Sequence, residues 1–335
     1  MRTFIIAEVG PNHNGRMDLA QEFINRLSKL DIDAIKFQLG IPENVYSKDS
    51  FKPTYQRYND AHKSPIEMDR GFQLSYEEHR ELYDACDRLG IAYMCTAFDL
   101  ESLRHLNTRF DLSQFKVASG EILTLDMLEY MAGCARPIIL STGMATDNEI
   151  QSAINVLESK EPKKITLLYC VSNYPAPLDD VDLRVMTKLR DKFQYPVGFS
   201  DHTVGSVCTI AAVALGATVI EKHVTLNKDM KGPDHKASAT IEEFSELVDS
   251  VRKMEKIIGH GDRSFSEDEE EIRRSSRKSI VVVRDFEANE IIRREDICFK
   301  RPGTGVSPME IQNIVGRRTR RQILADHVLM PDNIE

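Results

Sequence analysis

The sequence lacks the long apolar run, roughly 18–20 residues, that a membrane-spanning helix needs, so we expect no membrane partner. It also lacks the order of charged, apolar and small residues that marks a signal peptide. The first residues are instead expected to enter a β-strand at once. Glycine and proline, 17 and 13 of 335 residues, are too few for a fibrous or low-complexity chain. With 41% hydrophobic and 29% charged residues, the composition is typical of a globular protein.

Paired cysteines are also missing. The six cysteines are widely spaced and form no C-x-x-C motif. Several lie in apolar runs, where a thiol behaves as a small hydrophobic group. This usage favours a reducing, cytoplasmic compartment over disulfides or structural zinc. The net charge of −9 argues against nucleic acid as the main partner.

Nucleotide-binding motifs are absent as well. No G-x-x-x-x-G-K-[ST] occurs, and no predicted strand is followed by G-x-G-x-x-G, so nothing supports dependence on ATP or NAD. The Gly-spaced segment 301–305 lacks a strand–helix context and is interpreted as a turn. The basic cluster 317–321 is interpreted as a solvated face or as a contact with the acidic part of the chain.

What the sequence has is a regular alternation of short apolar runs and amphipathic stretches. Eight apolar runs predict buried parallel strands, at residues 4–9, 34–38, 91–96, 115–118, 138–141, 165–170, 197–200 and 219–223. Helical stretches between them include residues 17–30, 76–89, 147–157, 205–215 and 241–258. The alternation predicts an α/β fold, a (β/α)8 TIM barrel, with an open doubly wound sheet as the alternative.

The length fits one large domain and one small one. We assign residues 1–259 to the barrel, 260–274 to an acidic linker and 275–335 to a small domain of mostly β and turn structure. The acidic run at 267–271 is interpreted as a solvated helix or linker face. Residues 280–283 form the β run of the small domain, whose net charge is slightly positive. The long insertion at 40–73 follows the second strand, so we expect it on the rim that carries the active site.

Active sites of such barrels lie at the carboxyl ends of the strands. All eight predicted strands deliver polar or ionisable residues to this rim. The candidates are Glu8, Lys36, Gln38, Thr96, Lys116, Ser119, Glu121, Ser141, Ser172, Tyr174, Ser200, His202, Glu221 and His223.

Three chemistries follow from these residue types. Lys36 and Lys116 lie within apolar strands, where a buried ammonium needs an anion; with the neighbouring serines they suit a phosphate or carboxylate. His202 and His223 end neighbouring strands, so their imidazoles can converge on one divalent metal with positions left for water and substrate. Glu8 and Glu221 are candidate acid–base groups or substrate partners.

Eight segments follow one another along the chain: residues 6–15 (IAEVGPNHNG), 35–38 (IKFQ), 116–121 (KVASGE), 140–145 (LSTGMA), 198–203 (GFSDHT), 221–223 (EKH), 232–238 (GPDHKAS) and 300–305 (KRPGTG). In this order they resemble the sialic acid synthases, which condense phosphoenolpyruvate with an N-acylated hexosamine. The last of these looks like the family's C-terminal antifreeze-like (SAF) domain. The resemblance covers essentially the whole chain.

The resemblance implies a role for each matched position. Phosphoenolpyruvate would be held by Lys36, Thr96, Lys116, Ser119, Ser141 and Ser200. A divalent metal, manganese with magnesium or cobalt as alternatives, would be held by His202 and His223. The sugar would be contacted or oriented by Glu8, Gln38, Tyr174 and Asp234. Arg301 would reach the N-acyl group from the SAF domain of a partner subunit in a domain-swapped homodimer.

One position departs from part of the family. Some members read C-T-N-x-Y-P after the sixth strand, whereas this chain has Ser172 at the position of the asparagine. The substrate is therefore left open between N-acetylmannosamine and the diacetylated sugars that lead to legionaminic or pseudaminic acid. Two other classes also stay open: a metal-dependent aldolase acting on pyruvate and a non-catalytic sugar-binding protein.

Overall fold

The computed structural model describes residues 2–53, 57, 64–259 and 261–335. The chain forms two compact units, Met1–Gly259 and His260–Glu335. In the described residues no helix is both long and apolar enough to cross a membrane.

The first unit is built on eight parallel strands. They are β1 (Phe4–Glu8), β2 (Ala34–Leu39), β3 (Ala92–Ala97), β4 (Phe115–Val117), β5 (Ile138–Ser141), β6 (Ile165–Tyr169), β7 (Val197–Asp201) and β8 (Val219–Thr225). They pair in the order β3-β2-β1-β8-β7-β6-β5-β4. The strands at the two ends of this path, β3 and β4, also lie in contact, so the sheet is a nearly closed barrel. All eight predicted strands and the TIM-barrel fold are confirmed.

Helices follow the strands and cover the barrel. They are α1 (Met17–Leu27), α2 (Pro42–Val45), α3 (Pro65–Arg70), α4 (Tyr76–Arg88), α5 (Leu100–Arg109), α6 (Leu125–Ala132), α7 (Asp147–Leu157), α8 (Arg184–Phe193), α9 (Val207–Ala214) and α10 (Ile241–Ile258). A two-residue strand, β9 (Ala239–Thr240), pairs with β8.

The helix ends have local causes. Capping boxes start α4, α7 and α10, where Ser75, Thr146 and Thr240 each accept from the backbone N–H three residues on. Gly259, with φ of 61°, ends α10. The bounds of α7 and α10 agree with the sequence prediction, whereas α1 stops three residues earlier than predicted. The predicted insertion at 40–73 carries the short helices α2 and α3, and its residues 54–56 and 58–63 lie outside the described residues.

The barrel interior is layered. Six apolar side chains fill the interior on the side nearer the amino ends of the strands: Ile6, Ala34, Met94, Ile139, Leu168 and Val219. A side chain on Gly198 would lie 2.3 Å from the Val219 carbonyl oxygen, so only glycine fits at this level of β7. Because strand residues alternate between faces, the positions two residues further along point into the same interior. These are Glu8, Lys36, Thr96, Ser141, Cys170 and Glu221.

The second unit has its own apolar core around Val282, Phe286 and Leu329. Strands β10 (Ser279–Val282) and β11 (Ile297–Lys300) pair antiparallel, and a short helix α12 (Ile311–Ile314) follows. Turns and isolated β-bridges make up most of the rest, as predicted for this small domain. The acidic run lies in an exposed helix, α11 (Glu267–Ser276), within the segment interpreted as a solvated helix or linker.

Candidate active site at the carboxyl ends of the strands

A cavity of about 350 Å³ opens at the carboxyl ends of the barrel strands. It brings together thirteen of the candidate residues of the rim. They are Glu8, Lys36, Gln38, Thr96, Lys116, Ser119, Ser141, Ser172, Tyr174, Ser200, His202, Glu221 and His223. The cavity is also lined by Cys170, Phe98 and Met144.

Four buried titratable side chains lie together in this cavity. Lys36 Nζ lies 2.7 Å from Glu8 Oε2 and 3.6 Å from Glu221 Oε2. Lys116 Nζ lies 3.6 Å from the other oxygen of Glu221. All four side chains are almost fully buried. Glu221 therefore bridges the two lysines, and each ammonium has a carboxylate to offset its desolvation.

The pKa values of the two carboxyl groups are shifted in opposite directions. Burial raises the pKa of Glu8 above its usual range, although Lys36 opposes this shift. Burial also disfavours ionisation of Glu221, but Lys116 and Lys36 outweigh it and lower that pKa to about 2. Lys36 keeps a raised pKa because Glu221 and Glu8 outweigh the effect of burial. Burial lowers the pKa of Lys116, and Glu221 opposes the shift.

Hydroxyl groups surround the lysines. Lys36 Nζ donates to Thr96 Oγ1 at 3.0 Å, and Lys116 Nζ donates to Ser141 Oγ at 2.8 Å. Ser200 Oγ donates to Glu221 at 3.1 Å. Two cations with adjacent hydroxyl donors form a site suited to an anion with several oxygens.

The two histidines lie side by side, with ring centroids 5.7 Å apart. His202 Nδ1 donates to the Val171 carbonyl at 2.7 Å, which leaves Nε2 as the acceptor. The Tyr174 hydroxyl lies 3.1 Å from that nitrogen. His223 Nδ1 is buried and has no hydrogen-bond partner among the described residues. Burial lowers the pKa of both imidazoles, so each is neutral and has a lone pair available.

These residues fit a divalent metal as a two-histidine site. The described residues contain no cluster of three or more His, Cys, Asp or Glu side chains arranged to hold an ion. Two neutral imidazoles, one with an unpartnered buried nitrogen, supply donors that first-row divalent metals accept. The remaining positions would be open to water and substrate.

Asp234 lies close to His223: its Oδ2 is 3.9 Å from His223 Nδ1. Burial, and secondarily Glu8, raises the pKa of this carboxyl to about 7. Its loop is held by Ser238, whose Oγ donates to the Asp234 carbonyl, and by Asn12, which donates to Ser238 Oγ at 2.8 Å. The motif at 6–15 thus anchors the motif at 232–238.

Two predicted site residues lie elsewhere. Glu121 lines a neighbouring cavity of about 650 Å³ together with Asp99, Glu101 and Asp126, where Thr124 donates to its carboxylate. Arg301 is exposed on the second unit. Within the first unit, neither Glu121 nor Asp234 is among the described residues that line the central cavity.

Sequence reasoning treated two cavity residues incompletely. Glu221 was considered for acid–base chemistry but not as the bridge between both lysines, because this pairing depends on distances between three strands that are not neighbours in the sheet, β2, β4 and β8. Cys170 was interpreted as a small hydrophobic group. The alternation of strand residues could have identified it. Leu168 of β6 points into the barrel interior, so Cys170, two residues further along, also points inward and lines the cavity.

The fold is a parallel α/β barrel, and its cavity places two buried lysines beside two neutral imidazoles. This combination is typical of TIM-barrel enzymes, whose active sites lie at the carboxyl ends of the strands. Comparison with known proteins is more specific. Residues 23–263 match the NeuB family and residues 277–335 match the SAF domain. The first match spans more than half of the chain, so this protein belongs to the NeuB family and carries a SAF domain. The resemblance stated from the sequence is confirmed.

Individual relatives match nearly the full length. The chain is 40% identical to the N,N'-diacetyllegionaminic acid synthase of Legionella pneumophila, covering 100% of this chain and 95% of that protein. It is 32% identical to the pseudaminic acid synthase of Helicobacter pylori, with coverages of 99% and 97%. A crystal structure of the N-acetylneuraminic acid synthetase of Leptospira borgpetersenii in complex with citrate matches with a TM-score of 0.72 at 31% identity, covering 81% of this chain and 90% of that one.

Proposed function

We propose that this protein condenses phosphoenolpyruvate with an N-acylated hexosamine to form a nine-carbon nonulosonic acid, releasing phosphate by C–O cleavage. The observation that carries the proposal is the pairing of Lys36 and Lys116, with their hydroxyl neighbours, beside His202 and His223 in one cavity. Membership of the NeuB family supports the same reaction. The higher identity to a legionaminic acid synthase favours a diacetylated dideoxy hexosamine over N-acetylmannosamine or the sugar leading to pseudaminic acid.

The lysines and hydroxyls would bind the phosphate and carboxylate of phosphoenolpyruvate. Lys116 with Ser141, and Lys36 with Thr96, present two cationic donors already held by hydrogen bonds. Ser119 and Ser200 add two further hydroxyl groups to the lining of the cavity. Donors fixed before the substrate arrives need little reorganisation as charge develops, which is the source of electrostatic catalysis.

The acid–base groups would act on the sugar aldehyde. His202 and His223 would hold a divalent metal, which we propose to be manganese, and the metal would supply Lewis-acid polarisation of the aldehyde oxygen. Glu8 has a raised pKa and is oriented by Gln38, whose Nε2 donates to it at 2.7 Å. We assign it the proton delivered to that oxygen. Tyr174 and Asp234, at the histidines, would orient the sugar.

The bond changes then balance without a redox cofactor. C3 of phosphoenolpyruvate attacks the aldehyde carbon, which leaves an oxocarbenium-like centre at C2. Water adds at C2, and one of its protons restores the acid form of Glu8. The tetrahedral intermediate then loses phosphate by breaking its C–O bond, and the second proton leaves with the phosphate as the C2 carbonyl forms. The lysines offset the negative charge of the departing phosphate.

We further propose a domain-swapped homodimer in which Arg301 contacts the N-acyl group of a partner subunit's substrate. A guanidinium can donate to an acyl carbonyl in a fixed geometry. This proposal rests on the family resemblance and on the exposure of Arg301.

A phosphate-release assay tests the reaction. Purified protein with phosphoenolpyruvate and Mn2+ is given N-acetylmannosamine, or the diacetylated sugars of the legionaminic or pseudaminic series. We expect phosphate release with at least one sugar, fastest with the legionaminic type, and none without sugar. Product formed from pyruvate instead, without phosphate, would indicate the aldolase, and binding without turnover would indicate a sugar-binding protein. The His202→Ala variant is the control for contaminating activity.

A further inference from the structure

Cys170 contacts a hydroxyl group in the cavity. Its Sγ lies 3.1 Å from Ser119 Oγ, and the backbone N–H of Gly143 donates to the same oxygen at 3.1 Å. Cys170 is buried, and both it and Ser119 line the cavity. Ser119 is therefore held from two sides at a position that faces the site.

The hydrogen-bonding capacity of Ser119 decides what this arrangement can do. A hydroxyl has one proton and two lone pairs, and Gly143 occupies one lone pair. If the Cys170 thiol donates into the second lone pair, the Ser119 proton is left to point into the cavity. Burial raises the pKa of Cys170, so the thiol keeps its proton at neutral pH.

Gly143 allows these groups to converge. A Cβ at this position would lie 2.4 Å from Ser172 Oγ, 2.8 Å from Cys170 Sγ and 2.8 Å from Ser119 Oγ. These separations are too short for any side chain. The glycine thus leaves space for the thiol and both hydroxyls around one backbone N–H.

We propose that Cys170 is a positioning residue, which aims the Ser119 hydroxyl proton at an anionic oxygen of phosphoenolpyruvate. The inference rests on the proposed function, because it takes the bound anion to be phosphoenolpyruvate. Cys170 does not contact the sugar in this scheme. Its loss should weaken the binding of the anion and leave the sugar largely unaffected.

Calorimetric titration with phosphoenolpyruvate, alongside steady-state kinetics, tests the inference. We expect Cys170→Ala to raise the Kd and KM for phosphoenolpyruvate about three- to tenfold, the range for losing one neutral hydrogen bond. The KM for the sugar should stay within about twofold. Cys170→Ser, which restores a donor, should recover part of the affinity. Cys208→Ala removes another buried thiol, on α9 and outside the cavity, and is the matched control.

The outcomes separate this inference from the proposed function. If the wild-type protein fails to bind phosphoenolpyruvate, the proposed function is overturned. If it binds and Cys170→Ala binds equally well, only the role of Cys170 is overturned. An equal loss of sugar affinity, or no recovery in Cys170→Ser, would also contradict it.

Discussion

At the residue scale, Glu8 and Glu221 show how one side-chain type can serve two purposes. Both carboxyl groups are buried near Lys36, but only Glu221 lies between two lysines. Its pKa is therefore low, and that of Glu8 is raised by burial. Such a separation is typical of sites in which one group carries a proton and the other remains a fixed charge.

Lys116 gives a direct test of the anion site. We expect Lys116→Ala to weaken phosphoenolpyruvate binding about 10–150-fold, since a charge-assisted contact is worth about 1.5–3 kcal/mol. The sugar should be affected less. Kd values for both substrates provide the measurement. Lys163→Ala is the matched control. It removes another buried ammonium, which lies just before β6, donates to Glu161 and does not line the cavity. The Kd values for both substrates should be unchanged in this variant.

The paired imidazoles lead to a prediction about metal. His202→Ala and His223→Ala should each nearly abolish turnover while the far-ultraviolet circular dichroism stays that of the wild type. Exhaustive chelation of the wild type should do the same, and a divalent metal should restore activity. Metal content per chain, measured by mass spectrometry after dialysis, should fall in both variants but not in His105→Ala. Full activity after chelation would falsify the metal role.

Residue identities at the strand ends could be predicted, but their partners could not. Alternation placed Lys36, Lys116 and both histidines on one rim. The bridge formed by Glu221 and the contact between Cys170 and Ser119 depend on distances across non-neighbouring strands. Glu121 shows the opposite case: it follows a barrel strand but turns into the adjacent cavity. A residue a few positions beyond a strand end is placed by its loop, and loop direction is not encoded in the strand pattern.

At the scale of elements, a buried ion pair on the outer side of the barrel joins β7, β8 and α9. Lys222 Nζ lies 2.9 Å from Asp201 Oδ2, which also accepts from Thr209 Oγ1 at 2.6 Å. The alternation of strand residues explains the arrangement: Glu221 and His223 point inward, so Lys222 points outward. Its charge supports the fold and not the cavity.

We expect Lys222→Met to lower the free energy of unfolding by about 3–5 kcal/mol, because it leaves Asp201 buried without its cation. The double variant Asp201→Asn with Lys222→Met should recover much of that loss. Urea unfolding followed by circular dichroism provides both values. A single variant as stable as the wild type would show that Thr203 and Thr209 suffice to hold the carboxylate.

The contact between α4 and β3 should depend on pH. His79 Nδ1 lies 2.7 Å from the Tyr93 hydroxyl, and burial lowers the His79 pKa to about 3. The unfolded chain has a histidine pKa near 6.5, so it binds the extra proton first as pH falls. Stability is thus fully present above about pH 6.5 and falls below it, by about 2 kcal/mol at pH 5.

Urea unfolding at pH 7, 6 and 5 measures this effect. His79→Gln should have a shallower pH dependence than the wild type, whatever its stability at pH 7. His327→Gln, at an exposed position of the second unit, serves as the control and should keep the wild-type slope. An unchanged slope in His79→Gln would assign the pH dependence to other groups.

Element boundaries were predictable where local chemistry sets them. The starts of α7 and α10 follow capping boxes, and both helices were located correctly from the sequence. The predicted helix at 205–215 begins later, at Val207, because the chain bends at residues 203–206. The acidic run could be described only as solvated, since its charges fit an exposed helix and a linker equally well.

At the scale of the whole molecule, the two units differ in composition and core. The first buries its apolar residues between strands and helices, and the second has a separate cluster of its own. Within the second unit, the segment 275–335 is slightly basic in a chain whose net charge is −9. Opposite charge would favour its docking on a barrel. In the domain-swapped homodimer that we propose, that barrel would belong to a partner subunit, and Arg301 would make its proposed contact there.

Arg301→Ala should therefore reduce turnover and raise the KM for the sugar while leaving phosphoenolpyruvate affinity unchanged. The basis is that a guanidinium donating to the N-acyl group acts on one substrate only. Arg293→Ala, another exposed arginine of the second unit, is the matched control. Steady-state kinetics with each substrate varied in turn measures the difference.

Mixing two defective chains decides whether Arg301 acts across subunits. A His202→Ala chain has an intact Arg301 and no metal pair, and an Arg301→Ala chain has the reverse. If Arg301 serves the partner's cavity, a mixed dimer contains one site with both groups intact, so activity should reappear on mixing. If it serves its own cavity, every site in a mixed dimer lacks one group and no activity is gained. Differently tagged chains, co-purified to show that subunits have exchanged, make the second result decisive against the domain-swapped arrangement.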